Sequence, residues 1–205
     1  MYLAKSPFWL QWFYPKLTWH KNRRQKFIYL TFDDGPIPVV TPFVLNTLKK
    51  FNAKATFFCI GDNVRKHPDI FSLLEAEGHT VGNHTYNHLK GWKTDNKEYL
   101  KNFEECAELT GSRLFRPPYG RIKKSQIKII KALYPATEII MWDVLSGDWD
   151  QNISPEKCIQ NVLKNAKNGS IIVFHDSEKA YGRLEHTLPV VLTVLNEQGF
   201  GFKTL

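Results

Sequence analysis

Phe27-Ile28-Tyr29-Leu30-Thr31-Phe32-Asp33-Asp34-Gly35-Pro36 is the stretch on which the reading of this chain turns. Phe27–Phe32 is an unbroken run of apolar and β-branched residues, the pattern of a buried strand. It stops in two carboxylates and a Gly-Pro pair that forces a turn. Two adjacent carboxylates at the end of an apolar strand are costly unless a cation or a hydrogen-bond network takes them up.

Outward from that strand the pattern alternates. Val40–Phe51 has apolar positions at helical spacing, and Ala55–Ile60 is a second apolar run. Asp69–Glu77 reads as a helix stopped by Gly78, and His79–Asn83 as a strand. Asn96–Leu109 is a polar-faced helix before Gly111, and Lys124–Leu133 is another helix. Thr137–Val144 reads as a strand. Ser154–Lys167 is a helix opened by Ser-Pro, an N-cap followed by a first-turn proline. Ile171–Phe174 is a strand, Leu184–Gln198 a helix and Phe200–Leu205 a short final strand. Strands alternating with helices imply parallel strands joined by crossovers. About seven such units in the 179 residues after Lys26 suggest an α/β fold of the (β/α)-barrel type, within one domain.

Residues 1–26 differ from the rest. They hold six of the basic residues (Lys5, Lys16, Lys21, Arg23, Arg24, Lys26) and no acid, leaving only +2 of the net +8 to residues 27–205. The basic character is therefore local, and a cationic groove over the whole protein, as a nucleic-acid binder needs, is not indicated. The same segment carries Tyr2, Phe8, Trp9, Trp12, Phe13, Tyr14 and Trp19. Gln11, Pro15 and Lys16 interrupt it and no Ala-x-Ala site occurs, so it reads neither as a signal peptide nor as a membrane span; the expected location is cytoplasmic or peripheral to a membrane. The aromatics either pack against the domain, the favoured reading, or lie at lipid-headgroup depth with the cations over anionic lipid. Three cysteines at wide spacing (Cys59, Cys106, Cys158) form neither a disulfide framework nor a Cys-rich zinc site.

The polar clusters fall where strands end: Asp33-Asp34, His84 to His88, Arg116 to Tyr119, Asp143 to Trp149, and His175-Asp176. In parallel barrels the carboxyl ends of the strands converge on one face. A His-x-x-x-His pair alone is a weak signal, and Asp-Asp-Gly-Pro alone is a turn. One of the two Asp residues together with His84 and His88, however, makes a three-ligand set that leaves a coordination position open. Such a metal lowers the pKa of bound water from 15.7 toward about 7. The other Asp could take the water's proton, His175 could protonate a leaving group, and Arg116 could orient the basic Asp.

Taken together, Thr31-Phe-Asp-Asp-Gly-Pro36, His84-Thr-Tyr-Asn-His88, Arg116-Pro-Pro-Tyr-Gly120, Asp148-Trp149 and Val173-Phe-His175 resemble the five ordered motifs of the polysaccharide deacetylase family, over residues 27 to about 205. The resemblance implies a distorted (β/α) barrel of seven or eight strands and metal-dependent removal of acetyl groups, usually N-acetyl from glucosamine in peptidoglycan or chitin-like glycans. It implies a base at Asp33, metal ligands at Asp34, His84 and His88, and a divalent cation, zinc foremost, with cobalt or others tolerated. Arg116 would pair with the base, and the backbone N–H of Tyr119 would meet the oxyanion. Asp148, or the nearby Asp143, would tune His175, the acid. Pro118, Tyr119, Trp149 and Val173 would touch substrate; Val173 stands where Leu is common. Other readings are an O-acetyl xylan esterase, an amidohydrolase on a small non-sugar amide, and a binding protein that has lost catalysis. His20, His67, His79 and His186 read as surface or loop residues, Cys59 as core, Asp176 as a cap or turn residue, and Trp92 equally as a sugar platform or as packing.

Overall fold

Alternation along Phe27–Asp33 (β1) sends Ile28, Leu30 and Phe32 to one face and Thr31 and Asp33 to the other. The apolar face packs under helices; the opposite face lines the mouth of a curled sheet. The structure, a computed structural model, describes residues 3–205; Tyr2 of the aromatic segment lies outside the described residues. Helix α1 (Phe8–Phe13) precedes β1, and α2 (Val40–Lys50), β2 (Ala55–Cys59), α3 (Gly61–Lys66), α4 (Pro68–Ala76) and β3 (Thr80–Asn83) follow it. Then come α5 (Asn96–Thr110), β4 (Leu114–Phe115), α6 (Lys124–Leu133), β5 (Glu138–Ile139) and β6 (Val144–Leu145). The chain closes with α7 (Pro155–Leu163), β7 (Ile171–His175), α8 (Glu178–Glu197) and β8 (Gly201–Phe202).

Seven strands in the order β5-β4-β3-β2-β1-β7-β6 curl into a half-barrel, with β8 added to the start of β1. Every pairing between them is parallel. On the outer face Phe32 stacks between Phe57 and Phe174, at 5.1 and 5.8 Å between ring centroids. Val44 and Leu48 of α2 and Leu188, Val191 and Leu192 of α8 cover these rings. Both faces of a parallel sheet must be covered, which is why β1, β2 and β7 are almost continuously apolar.

The expected elements are present with adjusted ends. Helix α3 and strand β4 add to them, being only six and two residues long and too short to show a period in the sequence. The expected helix from Leu184 begins at Glu178 and runs through Gly182. The expected strand Thr137–Val144 is two short strands. Between them the backbone changes partner: Ile140 N–H donates to Phe115 C=O, whereas Asp143 N–H donates to Ile171 C=O. This bent stretch joins the two end strands of the sheet.

The N-terminal segment hydrogen-bonds along that stretch. Thr18 N–H donates to Ile139 C=O (2.9 Å) and Thr18 C=O accepts from Met141 N–H (2.7 Å). Ser6 N–H donates to Asp143 C=O (2.9 Å) and Ala4 C=O accepts from Leu145 N–H (2.8 Å). Leu17 and Trp19 are buried there. Among the described residues, no helix is long and apolar enough to cross a membrane.

Candidate active site

β1 and β7 are in register so that Asp33 lies beside His175 and Thr31 beside Val173. Inward-facing positions of neighbouring parallel strands therefore deliver a carboxylate and an imidazole to the same rim. Asp33 is buried, and its Oδ1 accepts a 2.6 Å hydrogen bond from Arg116 Nη1. Arg116 follows β4 and is wholly buried. It also donates to Thr31 Oγ1 (2.7 Å) and Met141 C=O (3.0 Å), with its guanidinium 4.2 Å above the Phe58 ring. Gly82 leaves room for that ring, since a Cβ there would lie 2.5 Å from Phe58 Cδ1.

Asp34 leaves the strand at φ 87°. Its carbonyl accepts from Asn63 Nδ2 (2.7 Å), and the N–H of Gly35 donates to Asp176 Oδ1 (3.0 Å). Asp176 Oδ2 accepts in turn from Thr41 Oγ1 (2.6 Å). Burial, then the charge of Asp34, pushes the Asp176 carboxyl up to about 8. Asp176 is thus more than a cap or turn residue of its own loop: it anchors the turn that aims Asp34. The signal for it in the sequence is an acid directly after an apolar strand.

His84 and His88 follow β3. Asn83 shapes the turn: its Oδ1 accepts from Thr85 N–H and its Nδ2 donates to Phe103 C=O, both at 2.8 Å. His84 Nδ1 sits 2.8 Å from Arg116 C=O. A carbonyl only accepts, so Nδ1 carries the proton and Nε2 presents a lone pair. That Nε2 is 3.8 Å from Asp34 Oδ1, and His88 Nε2 is 3.3 Å from the same oxygen. Burial, reinforced by His88, holds His84 well below the ordinary imidazole range; burial lowers His88 as well, against the pull of Asp34 and Asp33. Both imidazoles are thus in the form that ligates metals.

One ligand atom each from Asp34, His84 and His88 falls within 4.8 Å of the others. Asp34 Oδ1, at the centre, is buried and has no hydrogen-bond partner. An orphaned carboxylate oxygen facing two neutral imidazole nitrogens is what a divalent cation satisfies, so the donor set fits the group.

His175 Nδ1 is 2.8 Å from Asp148 Oδ1, and the His175 N–H donates to Asp148 Oδ2 at 2.8 Å. Burial opposes the charged ring, but the Asp148 carboxylate outweighs it and His175 is raised to about 9. A cation in the triad acts the other way. Asp143 is committed elsewhere, to Arg23 (2.9 Å) and Ser170 Oγ (2.6 Å). The Trp149 ring meets His175 edge-on, with centroids 4.9 Å apart. Val173, Trp149 and Leu145 line the cleft around His175. Pro118 is buried, while Tyr119, at φ 58°, is about half exposed with its ring 4.5 Å from His88.

Asp33, Asp34, His84, His88, Tyr119, Trp149, Val173 and His175 line one cleft of about 980 Å³, with Arg116 and Asp148 buried behind it. Its far wall has no counterpart in the sequence reading: Trp9, Leu10, Phe13 and Tyr14 of the N-terminal segment line it. Trp92 also lines it; its indole N–H donates to Ile122 C=O (3.1 Å), and Arg121 covers its ring at 4.3 Å. Of the other histidines, His79 is a correction: it is buried, and its Nδ1 accepts from Ala55 N–H at 3.2 Å. The three cysteines are free and buried, Cys59 within the core.

A family model described as Polysaccharide deacetylase matches residues 20–134. A peptidoglycan-N-acetylglucosamine deacetylase of Bacillus cereus is 36% identical over 197 residues, spanning 92% of this chain and 91% of its own. A chitooligosaccharide deacetylase of Azorhizobium caulinodans is 36% identical over 164 residues, 76% of each chain. Among solved structures, a peptidoglycan N-acetylglucosamine deacetylase in complex with 4-naphthalen-1-yl-N-oxidanyl-benzamide superposes with a TM-score of 0.86. It is 33% identical, with 98% of this chain and 95% of the other covered.

Proposed function

The chain belongs to the polysaccharide deacetylase family, and on that premise we propose that it hydrolyses the N-acetyl group of glucosamine units in a glycan such as peptidoglycan or a chitooligosaccharide. The observation that carries the reading is the meeting of five strand-end clusters: the Asp34–His84–His88 donor set beside Asp33, with Asp33 and His175 adjacent across β1 and β7. A binding protein has no use for an acid and a base beside such a donor set.

Asp34, His84 and His88 would hold a divalent cation, zinc foremost. When bound, such a cation supplies a Lewis acid for the acetyl carbonyl and acidifies water. Asp33, fixed by Arg116, accepts the proton of the attacking water, whose oxygen bonds to the acyl carbon. His175, charged beside Asp148, donates a proton to the amide nitrogen as the C–N bond breaks, and acetate and a free amine result. The backbone N–H of Tyr119 faces the developing oxyanion; one such donor is typically worth about 2.7–4 kcal/mol. Trp149 and Val173, with Leu145, enclose the acetyl methyl. Tyr119 borders the sugar, and Pro118, expected beside it, is buried behind the cleft wall and supports Tyr119 rather than touching substrate.

The test is acetate release from chitooligosaccharides, peptidoglycan fragments and acetylxylan. Release is expected from the N-acetylated glycans, to be abolished by a chelator and restored by zinc or cobalt. Release from acetylxylan alone would make the enzyme an esterase, and none from any substrate would overturn the reading. Asp33→Asn keeps an acceptor for Arg116 but no base. Turnover should fall about 10²–10⁴-fold with metal content unchanged by elemental analysis; parental turnover would displace Asp33 as the base.

A further inference from the structure

Helix α1 reads Phe8-Trp-Leu-Gln-Trp-Phe13, and none of its residues is buried. At 100° per residue, Phe8, Trp9, Trp12 and Phe13 fall on one side. Trp9 and Phe13 border the cleft and are 48% and 57% exposed. Phe8 and Trp12 lie outside the cleft lining and are 83% and 80% exposed. An oligosaccharide seated in the cleft would meet Trp9 and Phe13 but leave Phe8 and Trp12 in water. A layer that covers all four rings at once is a fluid apolar one.

The charge around the helix fits that layer. Lys5 and Lys16 flank α1, are exposed, and belong to a segment with no acidic residue. Lys124, also exposed, places its Nζ 5.6 Å from the ring centre of Tyr14, just past the helix. Lys90, Arg121, Lys124 and Lys179 line the cleft, whose acids are Asp33 and Asp34. Aromatic rings suit the headgroup region because they are apolar and tolerate its dipoles, and each cation near an anionic surface adds attraction. Both flanks of the helix are tethered: hydrogen bonds of Ala4 and Ser6 before it and of Thr18 after it fasten them to the sheet.

We propose that the exposed face of α1, with Lys5, Lys16 and Lys124 around it, docks the protein reversibly on an anionic lipid surface, turning the mouth of the cleft toward the membrane. The inference goes beyond the deacetylase reading and does not depend on it.

The experiment uses the full chain and vesicles of phosphatidylglycerol with phosphatidylcholine, against vesicles of phosphatidylcholine alone. The protein should co-sediment with the anionic vesicles, less so in high salt. The F8S/W12S variant should lose roughly tenfold or more in partitioning, with an unchanged melting temperature and unchanged turnover of a soluble chitooligosaccharide. Lys5→Gln with Lys16→Gln should weaken binding to the anionic vesicles. Brominated lipid should quench tryptophan fluorescence of the unmodified protein, a readout that needs no variant. Three outcomes would overturn the proposal: no sedimentation or quenching with anionic vesicles; equal partitioning of parent and F8S/W12S; or a parent dimer, seen by sedimentation velocity, that F8S/W12S converts to monomer without any lipid effect. Loss of acetate release in every assay, with vesicle binding intact, would count against the deacetylase reading alone.

Discussion

Asp34 shows how one residue's environment is assembled from distant parts of the chain. Asp34 takes a positive φ and puts Oδ1 3.3 Å from His88 Nε2 and 3.8 Å from His84 Nε2, while Asp33 gives Oδ1 to Arg116 and holds Oδ2 4.0 Å from His84 Nε2. Gly35 must be glycine, because a Cβ there would lie 1.9 Å from Asp176 Oδ2. His175 and Asp148 allow a pH prediction. The folded His175 pKa of about 9 lies above the ordinary 6.5. In chelator-treated protein the charged pair therefore stabilises fully below about pH 6.5 and loses its contribution as pH rises through about 9. The melting-temperature deficit of Asp148→Asn should be largest near pH 6 and shrink toward about pH 9.5. It should not vanish, since the carboxylate also accepts the His175 N–H. A deficit that grows with pH would contradict the assignment. In the working enzyme the same substitution should move the alkaline limb of kcat/KM to lower pH, because His175 would lose its proton sooner.

At the scale of elements, the barrel helices are specified by their ends as much as by their apolar faces. α5 begins at Asp95, whose Oδ1 accepts from Lys97 N–H (2.9 Å) and Glu98 N–H (3.0 Å), and ends at Gly111 with φ 59°. Asp95→Ala should cost about 1 kcal/mol in urea denaturation and leave turnover unaltered, as α5 supports the His84–His88 turn from well past its first turn, through the Asn102 and Phe103 carbonyls and Asn102 Oδ1. Strands β1, β2 and β7 are legible in the sequence, since strands covered on both faces are long apolar runs. β4 is not, because two residues are too few to show a period, and β5 and β6 read as one strand because the change of partner between them leaves no mark in the sequence. α1 is hidden for another reason: apart from Leu10, which packs against the fold, its apolar residues are largely exposed, so no buried stripe marks it as a helix.

The whole molecule depends on a segment that reads in the sequence like an appendage. Residues 4–18 hydrogen-bond along the bent stretch Glu138–Leu145, and Leu17 and Trp19 are buried against the fold. Removing residues 1–20 should therefore expose strand edges and cost on the order of 3 kcal/mol or more, from two lost apolar side chains and several backbone hydrogen bonds. Urea denaturation and light scattering would register it as a lower midpoint and aggregation; an unchanged midpoint would mean that the segment only decorates the sheet. Local patterns sufficed for the parallel α/β architecture, for the five strand-end clusters and, through their resemblance to a family, for the chemistry expected at each. Apolar runs, caps and a side chain's place at the end of a strand are all written over a few consecutive residues. Three features needed the folded molecule: that Asp148 and not Asp143 holds His175, that Asp176 steers Asp34, and that the N-terminal aromatics divide between the core, the cleft wall and the solvent. Each of these depends on which distant backbone passes within about 3 Å, and the curl of the sheet, not the order of residues, sets that distance.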